Sequence, residues 1–229
     1  MIVYKYGGTA LLDEEQLIAT VNEGIAKHQK IILIVSAIGR YPSPYSTDTF
    51  FKMCDCVSEI EKARIVSCGE IISSVKASNI LNKNYIKSIA VSIYDINLIY
   101  DDGFQVDSKI YEYLEDYDVI IIPGFIGLKD NEPVLLPRGG SNITASFFAS
   151  YFKCDLIIFT DVDGLYYEDP KLNNKAERIE VLSYDTLKEI TKYNPSLFPS
   201  LGIRYLEMGN VNVTIRNTYS NSGTMIKKI

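Results

Sequence analysis

Ile2-Val3-Tyr4-Lys5-Tyr6-Gly7-Gly8-Thr9 is the stretch on which the fold turns. A short apolar run, Ile2–Tyr4, reads as a buried strand, and a glycine pair follows it. From Asp13 onward the sequence turns polar, with helical spacing. A strand that runs through two glycines into a helix places bare backbone N–H groups at a positive helix end, where phosphate oxygens are held. Lys5 adds a mobile point charge at the same spot. Gly-Gly also serves such turns for steric reasons alone, so both readings stand at this point.

Outward from this stretch, strand and helix patterns alternate. Glu14–Lys27 has helical spacing, with Leu17, Ile18, Val21 and Ile25 on one face. Ile31–Val35 is uninterrupted and apolar, as in a parallel strand covered on both faces. Phe50–Ser58 and Glu70–Leu81 read as helices, Ile86–Val91 as a strand, and Lys109–Glu115 as a helix. Val119–Pro123 is another buried strand and Val134–Pro137 is extended. Asn142–Tyr151 reads as a helix, Leu156–Thr160 as a strand, and Tyr184–Lys192 and Leu201–Met208 as helices. Val211–Ile215 and Thr224–Lys227 close the chain as strands. The order predicts an α/β sheet with helices on both sides and functional loops at the carboxyl ends of its strands.

The bulk composition narrows the function classes. A chain of 229 residues suits one large α/β domain or two small lobes. A net charge of −6 argues against general nucleic-acid binding. No apolar run approaches the ~20 residues of a membrane span. The first strand leaves no room for a signal peptide, so the expected location is the cytoplasm, with no membrane partner. The four cysteines lack zinc-ligand spacing and read as reduced, mostly buried thiols. The single histidine, His28, falls at the end of the first helix and reads as solvated, which leaves no histidine-based triad.

Several turns carry chemistry. Val35-Ser36-Ala37-Ile38-Gly39 allows close approach to a ligand or is a plain turn. Thr47-Asp48-Thr49 precedes a helix that Ser46, Thr47 or Asp48 caps, and a carboxylate-binding hydroxyl is the other open reading. Glu70, after Ser67-Cys68-Gly69, reads as a first-turn residue favoured by the helix dipole or as a partner for an ammonium group. In Gly124-Phe125-Ile126-Gly127, Phe125 closes over a small ligand or belongs to the core. Pro137-Arg138-Gly139-Gly140-Ser141-Asn142 joins a bidentate anion donor to open backbone amides and points to function. Thr160-Asp161-Val162-Asp163-Gly164-Leu165-Tyr166 suits a ribose, a magnesium shell or an Asp-Gly turn, and Lys171 is within reach of a phosphate.

Taken in order, Lys5-Tyr6-Gly7-Gly8-Thr9, Val35-Ser36-Ala37 with Gly39-Arg40, Pro44-Tyr45-Ser46-Thr47-Asp48-Thr49, Ser67-Cys68-Gly69-Glu70-Ile71-Ile72-Ser73-Ser74, Gly124-Phe125-Ile126-Gly127, Arg138-Gly139-Gly140-Ser141, Thr160-Asp161-Val162-Asp163-Gly164 and Arg216-Asn217-Thr218-Tyr219-Ser220 resemble the catalytic domain of aspartokinases in the amino-acid kinase family. The resemblance implies a three-layer αβα sandwich with a mainly parallel central sheet. It implies one domain over 1–229, with the amino-acid and phosphoryl site in the N-terminal half and the nucleotide site in roughly 150–229. The implied reaction transfers the ATP γ-phosphoryl group to the side-chain carboxylate of L-aspartate, giving 4-phospho-L-aspartate, by positioning and charge neutralisation. Lys5 would neutralise the phosphoryl group, and Gly7 and Gly8 would cradle it. Thr47, Glu70, Arg138 and Ser141 would hold aspartate, with Glu70 on its ammonium and Arg138 on a carboxylate. Phe125 would pack on the substrate. Thr160, Asp161, Tyr166 and Lys171 match nucleotide contacts. Magnesium would ride on the phosphates with no dedicated protein ligands. A homodimer serving amino-acid biosynthesis, lysine among its products, is the family expectation.

The sequence departs from the family at several places. Asn142 stands where the family has an Asp that orients phosphate-binding lysines. Asn194-Pro195-Ser196 stands where the family has Gly-Ala-Lys, whose lysine reaches the phosphates. Ala10 replaces a serine, Ser200-Leu201 replaces a Pro-Arg, and the C-terminal regulatory tandem is expected to be missing. A neutral Asn142 relieves the repulsion an unbalanced carboxylate would exert on ATP, so the first two changes read as linked. They leave three readings: a slower kinase that uses Lys5 alone or with Lys192 standing in, a non-catalytic amino-acid- or nucleotide-binding regulatory homologue, and a kinase for a related acidic substrate.

Overall fold

A computed structural model describes residues 1–55, 57–166, 173, 175–193 and 197–229. The elements follow the chain as β1 (Ile2–Tyr6), α1 (Glu14–His28), β2 (Ile31–Val35), α2 (Thr47–Phe51), α3 (Glu59–Lys83), β3 (Ser88–Ala90), β4 (Ile99–Tyr100) and β5 (Phe104–Gln105). They continue as α4 (Ile110–Asp116), β6 (Val119–Pro123), β7 (Ile126–Lys129), β8 (Glu132–Leu135), α5 (Gly140–Phe152), β9 (Leu156–Thr160), β10 (Val181–Ser183), α6 (Tyr184–Tyr193), α7 (Ser200–Gly209), β11 (Val213–Asn217) and β12 (Thr224–Lys227). The main sheet has eight strands in the order β10-β12-β11-β9-β1-β2-β6-β3. All its pairings are parallel except β11 with β12. Among the described residues no helix is long and apolar enough to cross a membrane.

The buried strands explain the three layers. Ile31–Val35 is buried throughout, because its side chains alternate between two cores. Ile31, Leu33 and Val35 join one core with Leu17 and Val21 of α1 and Ala77 of α3. Ile32 and Ile34 join the other with Phe148 of α5 and Leu206 of α7. The same alternation acts on β1, where Ile2, Tyr4 and Tyr6 enter the first core and Val3 enters the second. Lys5 therefore points to the Val3 side, where α5 packs.

Several sequence expectations are corrected. The glycine pair does not open directly into α1. A one-turn 3-10 helix, Ala10–Leu12, intervenes, and Asp13 caps α1 by accepting from the Gln16 amide at 3.0 Å. The helix expected over Phe50–Ser58 is only α2, capped by Ser46. The next helix starts at Glu59, well before Glu70, behind a reciprocal Ser58–Glu61 capping box. Ser67-Cys68-Gly69 is thus mid-helix and not a turn. The thiols are less buried than expected: Cys68 is exposed, and Cys54 and Cys154 are half-buried, while Cys56 lies outside the described residues. The extended segment expected at Val134–Pro137 is β8, one strand of a second, four-stranded sheet ordered β5-β4-β7-β8 that the sequence reading did not separate.

The glycine pair divides into two roles. A Cβ on Gly8 would lie 2.1 Å from the Ala37 carbonyl oxygen, so the loop after β2 sits directly on it. A Cβ on Gly7 would meet only ordinary contacts, 3.5 Å from the Phe159 carbonyl and 3.7 Å from Lys5 Nζ. Gly8→Ala is expected to cost about 2 kcal/mol, seen as a fall in Tm of roughly 4–8 °C. Gly7→Ala is expected to leave Tm unchanged and to weaken phosphate binding. Calorimetric melting with phosphate-analogue titration checks both; equal Tm for the two variants would contradict the division.

Candidate active site

Parallel strands bring their carboxyl ends to one edge, and a cleft of about 710 Å³ opens there. Lys5, Thr47, Glu70, Phe125, Arg138, Ser141 and Asn142 all line it, together with Ser36. Residues far apart in the sequence thus converge on one space.

Lys5 is delivered by the strand alternation described above. Burial lowers its ammonium pKa to about 8. Among the described residues its side chain forms no hydrogen bond or ion pair. Below pH 8 it is a positive charge held near the cleft without a protein counter-charge, an arrangement that suits an anionic ligand.

Glu70 sits midway along α3 with 1% of its surface exposed. One carboxyl oxygen accepts from the Thr47 hydroxyl at 3.3 Å. The other is buried with no partner. Burial raises its pKa to about 8, so the ligand-free carboxyl is protonated at neutral pH. The mid-helix position removes the dipole account offered by the sequence. Thr47 is the first residue of α2, and of the three cap candidates Ser46 is the one that caps it.

The turn before α5 supplies the opposite wall. Gly139 adopts φ +83°, and a Cβ there would also strike Pro199 at 2.7 Å. Ser36 Oγ donates to Ser141 Oγ at 3.0 Å. Asn142 Oδ1 is buried and unpartnered. Arg138 is exposed at the cleft and free of hydrogen bonds among the described residues. Phe125 holds φ +68°, a strained backbone for a bulky side chain and one that clusters at functional sites. Its ring lies edge-on to Phe51 at 6.5 Å. A Cβ on Gly140 would meet the Phe125 ring at 2.7 Å, so that glycine lets the ring sit where it does.

A second, smaller cleft of about 210 Å³ is lined by Thr160 and Asp161 with Thr9, Asp13, Asn217 and Tyr219. The Thr160 hydroxyl is engaged locally, accepting from the Val162 amide at 3.1 Å. Asp161 accepts from Arg40 Nη2 at 3.1 Å. The Tyr219 hydroxyl donates to the Asp13 carboxylate. Tyr166 pairs with Arg178 in an isolated bridge and lines neither cleft. Lys171 and Ser196 lie outside the described residues. Lys192 is exposed and bound to Glu189 at 2.5 Å on its own helix, away from both clefts. The Gly7 amide is not bare: it donates to the Phe159 carbonyl at 3.2 Å.

The sequence reading missed Phe51, Lys62, Leu135 and Leu136, which also line the larger cleft. The two leucines come from the end of β8 and its exit, and so depended on the unrecognised second sheet. Lys62 became visible only once α3 was seen to start at Glu59. Asn217 and Tyr219 stood in a quoted block without a role; their signal was a polar run directly after an apolar strand.

Comparison with known proteins bears on the family and the fold. A sequence profile of the amino acid kinase family matches residues 1–217. Aspartokinase 1 of Bacillus subtilis is 26% identical over 99% of this chain and 60% of its own length. An aspartokinase of Helicobacter pylori strain ATCC 700392 / 26695 is 30% identical over 99% of this chain and 59% of its own length. The chain thus spans about 60% of the length of the curated relatives it matches. The crystal structure of aspartate kinase from Synechocystis superposes with a TM-score of 0.83 at 22% identity, covering 100% of this chain and 40% of that one.

Proposed function

The chain belongs to the amino acid kinase family, and on that premise we propose that it transfers the γ-phosphoryl group of MgATP to the side-chain carboxylate of L-aspartate. One observation carries the reading. An unpartnered buried carboxyl oxygen on Glu70 and an unpartnered lysine, Lys5, meet the same cleft. A substrate with an ammonium group and a carboxylate supplies what both lack. The names of the relatives support aspartate as that substrate.

In this reading Glu70 and Thr47 receive the ammonium, Arg138 and Ser141 the α-carboxylate, and Phe125 covers the carbon chain. Asn142 lies beside the reacting carboxylate, and Gly7 and Gly8 border the phosphoryl group. Thr160 and Asp161 border the nucleotide, with the C-terminal part, roughly 150–229, as its half of the site. The attacking carboxylate oxygen forms the new bond to the γ-phosphorus. The bond from that phosphorus to the bridging oxygen breaks, and its electron pair leaves on ADP. No proton moves, so the protein needs no general base, only cations that neutralise the transferring group. Magnesium enters with the nucleotide as part of the substrate. A homodimer belongs to the proposal as well, supported by the exposed apolar residues Ile71, Ile72 and Val75 on α3.

The test is ADP release with MgATP and L-aspartate, trapping the acyl phosphate with hydroxylamine. Aspartate-dependent hydroxamate is the expected result. A binding-only role is the second reading, favoured by Asn142: a neutral side chain there leaves Lys5 without a counter-charge to orient it. Calorimetric binding of aspartate with no hydroxamate at high enzyme concentration would establish that second reading.

A further inference from the structure

We propose that Arg40 is a second phosphate-directed cation, held on Asp161 in the ligand-free protein and acting with Lys5 on the transferring phosphoryl group. The proposal rests on the phosphoryl-transfer reading and adds to it a residue that the reading did not use.

The backbone places Arg40 beside the glycine pair. The Gly39 amide donates to the Gly8 carbonyl at 2.9 Å. Gly39 itself holds φ +84°, and a Cβ there would strike Ser43 Oγ at 2.3 Å. The loop after β2 is therefore fixed against the end of β1, one residue before Arg40. From there the side chain reaches Asp161, on the loop after β9, with Nη2 at 3.1 Å from Oδ2. Strands β9 and β2 flank β1 on opposite sides. Adjacent strands lie about 4.8 Å apart, so the side chain spans roughly two strand spacings. Arg40 thus crosses the carboxyl end of β1, the strand that carries Lys5, to reach Asp161 on the rim of the smaller cleft; in this arrangement it lines neither cleft itself. A phosphoryl group passing from nucleotide to carboxylate crosses that line.

Structural stabilisation is a weak explanation for the pair. Both side chains are largely exposed, at 65% and 42%, and such pairs contribute about 0–1 kcal/mol. A weak, solvated pair exchanges readily for phosphate oxygens, and a guanidinium offers them two parallel donors. Arg138, the unpaired cation on the far wall of the larger cleft, is assigned to the α-carboxylate in this reading, and Arg216 is committed elsewhere. Arg216 stacks 4.9 Å over the Phe159 ring and donates to the Ser220 carbonyl. In the transfer step written above, Arg40 donates hydrogen bonds to oxygens of the γ-phosphoryl group and to the oxygen leaving on ADP. It forms and breaks no covalent bond.

The experiment pairs the hydroxamate assay with calorimetric titration of inorganic tripolyphosphate into wild type, Arg40→Ala and Arg40→Lys. Arg40→Ala is expected to lower kcat by roughly 10²-fold, with the KM for aspartate within about twofold and Tm unchanged. Tripolyphosphate affinity should fall by about tenfold, and Arg40→Lys should recover part of both losses. Unchanged kcat and unchanged tripolyphosphate affinity in Arg40→Ala would overturn the proposal and leave the kinase reading standing. If wild type shows no turnover, the kinase reading fails. Tripolyphosphate binding then decides on Arg40 by itself: dependence on Arg40 supports a phosphate-directed cation, and its absence overturns it.

Discussion

Lys5→Met is expected to abolish phosphoryl transfer while making the ligand-free protein more stable. Removing the cation from the transfer point should lower kcat by about 10³-fold, roughly 4 kcal/mol of transition-state stabilisation. Aspartate affinity, measured by calorimetry without nucleotide, should fall far less than kcat, because Glu70 and Arg138 still hold the ammonium and the α-carboxylate when the contact to Lys5 is lost. The stability gain follows from burial. Lys5 titrates at about 8 in the folded chain against 10.5 when unfolded. Below pH 8 the folded state carries a half-buried, unpaired charge that costs up to about 3 kcal/mol. That cost fades between pH 8 and 10.5 as the folded state gives up its proton first. Methionine has similar volume and no charge, so the variant should unfold at a higher temperature at pH 7, with the gain vanishing above pH 10.5. A stable, inactive variant is what a strained functional charge predicts. Turnover within tenfold of wild type would remove Lys5 from the mechanism.

Glu70→Gln is expected to weaken aspartate binding by about 10² at pH 8.5 and by much less at pH 6. The difference comes from the raised pKa. With Glu70 at about 8 in the ligand-free protein, an ammonium group must first draw off its proton. Wild-type affinity should therefore rise about tenfold per pH unit from 6 to 8 and then level. Binding at pH 7 should release a proton, measurable as a dependence of the calorimetric heat on the buffer's ionisation enthalpy. Glu70→Gln should show neither effect. The stability linkage has a definite sign. A folded pKa raised from 4.5 to about 8 means stability is greatest below pH 4.5 and is lost progressively up to pH 8. Glutamine removes that loss, so the variant gains stability over wild type as pH rises through this window. A pH-independent aspartate affinity in wild type would show that Glu70 does not receive the ammonium.

Lys5 and Glu70 set opposite slopes on either side of pH 8. Their combined contribution places a minimum in ligand-free stability near that pH. Bound substrate, by pairing both charges, should fill that minimum most, so the rise in Tm on ligand binding is expected to be largest near pH 8.

Much of this was legible in the chain. Period-two and unbroken apolar runs marked β1, β2, β6 and β9, because a strand covered on both faces must be apolar at every position. Once those strands are parallel, their following loops must share an edge, so the blocks after Tyr6, Val35, Pro123 and Thr160 were bound to converge. The steric reading of the glycine pair holds at Gly8, where a Cβ would strike the Ala37 carbonyl oxygen.

What stayed hidden depended on contacts between distant segments. The start of α3 was misplaced because Ser67-Cys68-Gly69 is weakly helical by composition, and only packing against Ala37, 2.9 Å from a Cβ on Gly69, explains that glycine within a helix. The short strands of the second sheet, β4 and β5 with two residues each, carry too little pattern to show a period. The bare-amide reading of Gly7 failed because its N–H is taken by Phe159, a partner 152 positions away that no local rule identifies.

The sequence by itself determined the alternating α/β order, the parallel strands and the chemical types gathered at their ends, since these follow from periodicity and residue identity. Only the tertiary structure decided which of those groups are left unpaired. Lys5, Glu70 and Asn142 are written in the chain as ordinary polar residues. Their missing partners, and the shifted charges of Lys5 and Glu70, arise from desolvation by segments that folding brings around them, and desolvation has no local signature in a sequence.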